Sequence, residues 1–321
     1  MAGAIISVSD LRKSYGEVEA VRGIDLEVEM GEVFAFLGPN GAGKTTTVEI
    51  LEGYRRRSAG EIEVLGTDPQ RAGPEWRERI GIVLQVNKLD THLTVRESLE
   101  LYAGYYRSPR SVDGVIELVG LQGKADDRVN KLSGGQQRRL DVGISLVGDP
   151  ELLFLDEPTT GFDPSARRQA WDVIAGLRDL GKTVFLTTHY MDEAQHLADR
   201  VAVIVHGKIV AQGSPDALGD RENAQATIRF LMPAGLSLDE LPLDASDATV
   251  EGDGGVSLRT RDPVPLLNRL TGWALDNSVD LASLEVRRPS LEDVYLELTA
   301  NQGGQAEAIP AEGGDAGEDR L

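Results

Sequence analysis

The chain has 321 residues, 40% of them hydrophobic, with no cysteine and a formal net charge of −20. That length allows one large domain and a smaller one, and the apolar content supports a buried core. The composition excludes disulfides and zinc–thiolate sites, the acidity speaks against general electrostatic binding of nucleic acid, and no apolar run approaches a membrane span.

Met1 to Asp10 lacks the charged-then-apolar form of a signal peptide. The expected place is the cytosol, free or held on a membrane by a partner. Residues up to about 213 alternate apolar strand patterns with helical ones, the signature of an α/β core. Val33 to Leu37 reads as a buried strand running into the glycine-rich stretch Gly38 to Thr45. Gly81 to Leu84 is a further strand candidate that ends at Gln85. Thr94 and Glu97 form a capping box that opens a helix through Tyr106. Ser133 is a good N-cap, with a helix pattern from Gln137 to Leu146. Leu152 to Leu155, Thr183 to Thr187 and Val201 to Val205 are three more short strands, and His206-Gly207-Lys208 turns into Ile209-Val210. Ser214-Pro215-Asp216 reads as a helix start with proline at its first position.

Beyond that point the pattern changes. Ala226 to Met232, Gly255 to Thr260 and Leu281 to Arg287 are strand candidates, with Asp244 to Gly254 as a surface loop. Pro263 to Asn277 is helical with Asp262 as its cap, and Ser290 and Asp293 cap a last helix, Leu291 to Thr299. Residues 221–321 carry 19 acidic and 8 basic residues, which points to a separate module with a solvated tail. The expected organisation is a large α/β domain over residues 1–218, a small α+β module over 219–300, and an acidic disordered tail over 301–321.

Gly38-Pro39-Asn40-Gly41-Ala42-Gly43-Lys44-Thr45 fits the phosphate-loop pattern in full, between a strand and a helix. Backbone N–H groups of such a loop cradle phosphates, Lys44 reaches the β- and γ-phosphates, and the Thr45 hydroxyl ligates Mg²⁺. Thr46 follows in the same phosphate-facing turn. Asp156 and Glu157 end an apolar strand. There Asp156 is placed to bind Mg²⁺, directly or through water, and Glu157 to orient and polarise a water against the γ-phosphate. His189 follows another strand. Ligands lie at the carboxyl ends of parallel strands, so the same nucleotide edge is its expected place; a satisfied surface or core histidine is the alternative. Gln85 reaches Mg²⁺ or the attacking water, and it carries little information alone. Tyr15 either stacks on an adenine ring or only packs. His92, His196 and His206 read as structural or exposed. Leu132-Ser133-Gly134-Gly135-Gln136 is a second glycine-rich run at a helix start, where backbone and dipole favour an anion. It either binds phosphate privately or faces the nucleotide of another chain.

The joint set resembles the ATP-binding-cassette (ABC) ATPases. The phosphate loop, Gln85, Leu132 to Gln136, Leu152 to Glu157, Gly161-Phe162-Asp163 and His189 occur in that family's order and spacing over residues 4 to 218. The resemblance implies an α/β P-loop NTPase fold carrying a small C-terminal α+β module. It also implies Mg²⁺-dependent ATP hydrolysis and a head-to-tail dimer with two ATP molecules at the interface. By position, Ser133 and Gly135 then contact the γ-phosphate of the opposite ATP, with Gly134 and Gln136 in the same run, and Asp163 lies in the loop that couples the sites. Phe162 stands where leucine is commoner. Arg55-Arg56-Arg57 replaces a Pro-Thr-Ser-like stretch and reads as a solvated surface cluster.

Two function classes follow, the motor subunit of a membrane transporter and a soluble cassette ATPase of repair or translation. The second usually needs a long coiled-coil insertion or two cassettes in one chain, and neither is present. Leu284 to Thr299 and His189 to Ala194 resemble the drug-resistance exporters of the daunorubicin type. That branch implies a separate membrane permease, efflux of a drug, lipid or other amphiphile, and a place on the cytoplasmic face of the membrane. Val86 to Tyr106 is the expected permease-facing stretch, with Leu99 and Tyr102 as its packing residues.

Overall fold

The computed structural model describes residues 3–85, 89–218, 226–233, 235–242, 248–251 and 254–287. They fall into two compact units, one reaching Pro215 and one starting at Asp216. In the first unit the strands are β1 (Ala4–Tyr15), β2 (Val18–Glu29), β3 (Val33–Leu37), β4 (Ala59–Val64), β5 (Ile80–Val83), β6 (Leu152–Asp156), β7 (Thr183–Thr188), β8 (Arg200–Val205) and β9 (Lys208–Gly213). The helices are α1 (Lys44–Leu51), α2 (Pro74–Arg77), α3 (Val95–Ala103), α4 (Val112–Leu118), α5 (Gly134–Leu146), α6 (Pro164–Asp179) and α7 (Met191–Leu197).

Six strands form one sheet in the order β5-β6-β7-β3-β8-β9. Five run parallel, and β9 returns antiparallel beside β8. The parallel strands are continuous apolar runs because both of their faces are covered. Side chains alternate across a strand, so Phe34, Phe36, Phe154 and Phe185 enter one core with β1, β2 and α1. Val33, Leu153, Leu155, Val184 and Leu186 enter another with α3, α5 and α6. Phe185 is the hub of the first core, with ring centroids 5.5 Å from Phe34, 5.8 Å from Phe36 and 5.7 Å from Phe154. Phe185→Ala is expected to cost about 3–5 kcal/mol, read as a lower denaturant midpoint for the first unit.

The carboxyl ends of β3, β5, β6 and β7 share one edge. β3 sits between β7 and β8, so the chain leaves it at the switch point of the sheet, the general location of ligands in such folds. A three-stranded antiparallel sheet, β2-β1-β4, accompanies this core. The alternating strand–helix reading did not foresee that sheet. Several register shifts interrupt the β1–β2 pairing, and Asp10 in β1 has φ 45°, so the period-2 pattern of β1 is broken.

Several sequence expectations need correction. The helix opened by Thr94 and Glu97 does have its capping box, but it ends at Ala103. Gly104 follows, and the chain turns so that Tyr106 seats against Gly148, where an added Cβ would lie 2.3 Å from the Tyr106 ring. The helix after Ser133 begins at Gly134, not Gln137, so both glycines belong to its first turn. The strand before Gln85 spans Ile80–Val83 and leaves Leu84 outside and exposed. Residues 215–218 form a turn rather than the start of a helix. Arg55 and Arg57 are half-buried rather than solvated. Arg55 pairs with Glu49 at 2.5 Å, and Arg57 grips Asp68 with two nitrogens at 2.8 and 2.9 Å.

In the second unit β11 (Ala248–Val250), β12 (Gly255–Thr260), β10 (Ala226–Leu231) and β13 (Glu285–Arg287) form an antiparallel sheet in that order. Ile228, Phe230, Val256, Leu258 and Leu270, the last from α8 (Pro263–Asp276), make its core. Asp262 precedes α8 without a side-chain capping bond. β11 lies inside the stretch read as a loop, because Glu251 and Gly254 close a tight hairpin onto β12. β13 is shorter than expected: Ser283, at φ 57°, turns the chain through a left-handed conformation just before it. The expected helix Leu291 to Thr299, its caps and the tail lie outside the described residues.

Candidate functional site

The site is built at the shared edge, starting from the loop that leaves β3. Glycine is required there at two positions. A Cβ on Gly38 would lie 2.4 Å from the Ile204 carbonyl, and Gly43, at φ 106°, would press one within 2.6 Å of the Ala20 carbonyl. The loop closes through Ala42 N–H to Pro39 O at 3.2 Å, and Gly207 N–H holds Ala42 O at 3.0 Å. Lys44 opens α1. Its side chain is only 4% exposed and its ammonium donates to the Gly38 and Pro39 carbonyls at 2.8 and 3.2 Å. Burial pulls the Lys44 ammonium below its ordinary range, and Glu157 opposes that pull.

Glu157 is the meeting point. Lys44 Nζ lies 3.3 Å from Oε1, and His189 Nδ1 lies 3.3 Å from Oε2. Gln85 Nε2 donates to Oε2 at 3.2 Å and Thr160 Oγ1 donates to it at 3.1 Å. Burial alone would raise the Glu157 carboxyl, but Lys44 and His189 outweigh it and hold the group below the usual carboxylate range. Glu157 also has φ 43°, a left-handed conformation that costs a non-glycine residue about 1–3 kcal/mol and persists only where its surroundings over-determine it. Its N–H is held by Thr187, by the carbonyl at 3.2 Å and the hydroxyl at 3.0 Å. Asp156, one residue earlier, is buried and accepts a short hydrogen bond from Thr187 Oγ1. Burial raises its carboxyl above the ordinary value.

Four of the residues singled out in the sequence therefore converge: Lys44, Gln85, Glu157 and His189. Asp156 sits beside them on β6, and Thr45 and Thr46 follow Lys44 on α1. Tyr15 ends β1, and its ring faces Lys13 Nζ at 4.8 Å and Arg55 at 5.3 Å. Ser133 to Gln136 do not join the cluster. Ser133 and Gln136 close a capping box on each other at the start of α5. Asp163 caps α6, accepting from Ser165 and Ala166 N–H at 2.8 and 2.9 Å. Of the three other histidines, His196 stacks on Trp171 at 4.9 Å and His92 and His206 are exposed.

The donor set suits a nucleotide with a hard cation. The loop's glycines leave room for phosphate oxygens, and a hydroxyl, an amide and a carboxylate (Thr45, Gln85 and Asp156) are oxygen donors of the kind Mg²⁺ takes alongside substrate phosphates.

Sequence reading missed four groups. Thr187 and Thr160 hold Glu157. Glu193 on α7 is buried and accepts from Thr159 Oγ1 at 2.8 Å and Trp171 Nε1 at 3.1 Å. Glu52 caps the end of α1, is buried, and its Oε1 accepts no hydrogen bond among the described residues. Burial, with Asp156 and Glu49 nearby, pushes the Glu52 carboxyl from 4.5 up to about 9. Below pH 4.5 folded and unfolded chains both hold this proton, so the site costs nothing there. As pH rises toward about 9 only the unfolded chain releases the proton, and stability is lost across that window. Glu52→Gln is expected to be more stable than the parent at pH 8 by on the order of 1–3 kcal/mol. That gap closes near pH 4 in thermal melts; a gap independent of pH would contradict it.

Comparison with known proteins adds the following. The family described as "ABC transporter" matches residues 21–160, and the "ABC transporter domain-containing protein-like, C-terminal domain" family matches residues 226–290. The chain is 39% identical over 308 residues to the Nod factor export ATP-binding protein I of Burkholderia orbicola (strain AU 1054), covering 94% of this chain and 99% of that protein. It is 38% identical over 319 residues to the daunorubicin resistance ATP-binding protein DrrA3 of Streptomyces coeruleorubidus, covering 96% and 100%. Among solved structures, an ATP-binding cassette captured as a dimer in a post-hydrolysis state with ADP and Pi matches with a TM-score of 0.58 at 25% identity. That match covers 65% of this chain and 98% of the other.

Proposed function

This chain belongs to the ABC transporter ATP-binding proteins of the exporter type and hydrolyses ATP, and from that premise we propose the residues and the assembly that do the work. The loop Gly38 to Thr45 cradles the phosphates with its N–H groups, continued by Thr46, and Lys44 reaches the β- and γ-phosphates. Tyr15 stacks on the adenine. Glu157 is the general base that takes a proton from the attacking water. His189 and Gln85 hold that carboxylate and the water in line. Thr45, Asp156 and Gln85 hold Mg²⁺, which offsets the charge on the phosphates when bound. The observation that carries this reading is the convergence of Lys44, His189 and Gln85 on one carboxylate at 3.2–3.3 Å.

Asp156→Asn is expected to lower turnover by about 100-fold or more, the range typical of losing one electrostatic element of a phosphoryl-transfer site. Chelation of divalent cations reproduces that loss in the parent, and added Mg²⁺ reverses it. Turnover that survives chelation would contradict the metal assignment.

Ser133, Gly134, Gly135 and Gln136 begin a helix of thirteen residues, a favourable place for an anion. Their own chain's site already holds a lysine and a base, and this run lies apart from it. We assign the run to the γ-phosphate bound by a second copy, in a head-to-tail dimer with two shared sites. ATP then acts as a ligand of higher affinity for the closed dimer than for the open one, which is what lets it drive a conformational cycle. Hydrolysis removes the γ-phosphate that bridges Lys44 of one copy and Ser133 of the other, and the dimer reopens.

The driven partner is a separate membrane permease, and this chain works at its cytoplasmic face; no helix among the described residues is long and apolar enough to cross a membrane. Leu84, Leu101 and Tyr105 are 45%, 51% and 74% exposed and supply an apolar surface for that permease. Tyr102, expected to pack, is 38% exposed and belongs with them, whereas Leu99 is fully buried. The cargo class we assign is an amphiphile such as a drug or lipid, by analogy with the named relatives. The small module from residue 219 and the acidic tail from residue 301 are accessory to this motor.

A further inference from the structure

Arg138 lies in the second turn of α5 and is 8% exposed. Among the described residues, its guanidinium hydrogen bonds all go to backbone carbonyls rather than to carboxylates. Nε donates to Pro158 O at 3.0 Å, Nη2 to Asp156 O at 2.9 Å, and Nη1 to Leu84 O through a short hydrogen bond. Arg138 makes a long ion pair with Asp141, 3.9 Å from Nη1. The three carbonyls have one thing in common. Asp156 and Pro158 flank Glu157, and Leu84 immediately precedes Gln85. A single planar fork therefore fixes a peptide group on each side of Glu157 and the peptide that leads into Gln85.

This placement supplies part of what the φ of 43° at Glu157 requires. A left-handed glutamate stays so only when its neighbours hold it. Thr187 secures its N–H, and Arg138 secures the carbonyls before and after it. Arginine suits the task because its donors form a rigid fork, where lysine offers a compact ammonium. Arg138 also stands five positions after Ser133 on one continuous helix, an axial rise of about 7 to 8 Å. A displacement of the helix start is transmitted to the fork as a rigid body.

We propose that Arg138 is the positioning residue that holds Glu157 and Gln85 in reacting geometry and couples them to the start of α5. The proposal rests on Glu157 being the base. Arg138 acts through the backbone, on the carbonyls of Asp156 and Pro158 around Glu157 and of Leu84 before Gln85.

The test compares Arg138→Gln, Arg138→Lys and Glu157→Gln in the full chain with Mg²⁺. ATP affinity is measured with a fluorescent ATP analogue, and kcat and KM by steady-state turnover. Arg138→Gln is expected to lower kcat by about 10- to 100-fold, the scale of a small misplacement of reacting groups. It should leave nucleotide affinity within about twofold. Arg138→Lys recovers only part of kcat, because one ammonium cannot span all three carbonyls. A folded Arg138→Gln protein with parental kcat overturns the proposal. So does a parallel fall in kcat and affinity that lysine restores in full, since that pattern marks plain packing. If Arg138→Gln does not fold, Arg138→Lys, which keeps the buried charge, is the deciding variant: reduced kcat with retained affinity supports the proposal, and unchanged kcat overturns it. Failure of the underlying assignment looks different, because Glu157→Gln would then turn over ATP at the parental rate.

Discussion

Glu157→Gln abolishes ATP turnover, leaves ATP binding intact and accumulates a stable ATP-bound dimer. The expected loss is about 100-fold or more, the range for removing a general base. Glutamine keeps the size of the side chain and can still meet Lys44, His189 and Thr160. What it loses is the negative charge that Lys44 and His189 hold in place below the ordinary carboxylate range. Binding survives because the phosphate loop and Lys44 are untouched. The dimer persists because the γ-phosphate that bridges the two copies is no longer removed. Turnover at the parental rate would sink the assignment, and lost nucleotide binding would move Glu157 from catalysis to binding.

Lys44→Ala is expected to lower ATP affinity by roughly 10- to 100-fold, on the scale of about 1.5–3 kcal/mol for a hydrogen bond to a charged group. Turnover falls further, because the same ammonium stabilises charge on the transferring phosphoryl group. The Lys44 side chain is 4% exposed and already aligned on the Gly38 and Pro39 carbonyls, so little ordering is needed for it to meet phosphate. Alanine also leaves the Glu157 carboxylate without its strongest cationic neighbour, so its carboxyl moves up toward the ordinary range. Equilibrium titration separates the two effects. Unchanged affinity together with unchanged turnover would remove Lys44 from the site.

The parts of this account that were legible in the sequence are local ones. Gly38 to Thr45 is contiguous, so its spacing reveals a phosphate cradle before any strand is placed. Val33 to Leu37, Leu152 to Asp156 and Thr183 to Thr188 announce themselves because both faces of the sheet are covered and every residue in these strands is buried. Thr94 with Glu97 and Ser133 with Gln136 close capping boxes between residues three apart. The less legible parts depend on distant pairing. Arg138 reaches Leu84 across 54 positions, and Gln85 reaches Glu157 across 72. Glu52 reads as an ordinary polar residue after a helix until the fold buries it. Gly254 and Ser283 bound the short strands of the second unit with left-handed angles, and at serine that conformation has no clear sequence signal. Tyr106 left its expected helix because Gly148, far along the chain, offers it a seat.

The central claim is that each ATP is read by two chains, Lys44 from one and Ser133 from the other. Mixing Lys44→Ala chains with Ser133→Arg chains tests it most directly. Each variant alone is inactive. A mixed dimer has one site with the intact loop of the Ser133→Arg chain facing the intact run of the Lys44→Ala chain, and one site broken twice. Random exchange makes about half of the dimers mixed, each with one of two sites intact, so the account predicts recovery of up to roughly a quarter of parental turnover. No recovery, with both variants folded and mixed dimers demonstrated by cross-linking, would contradict it.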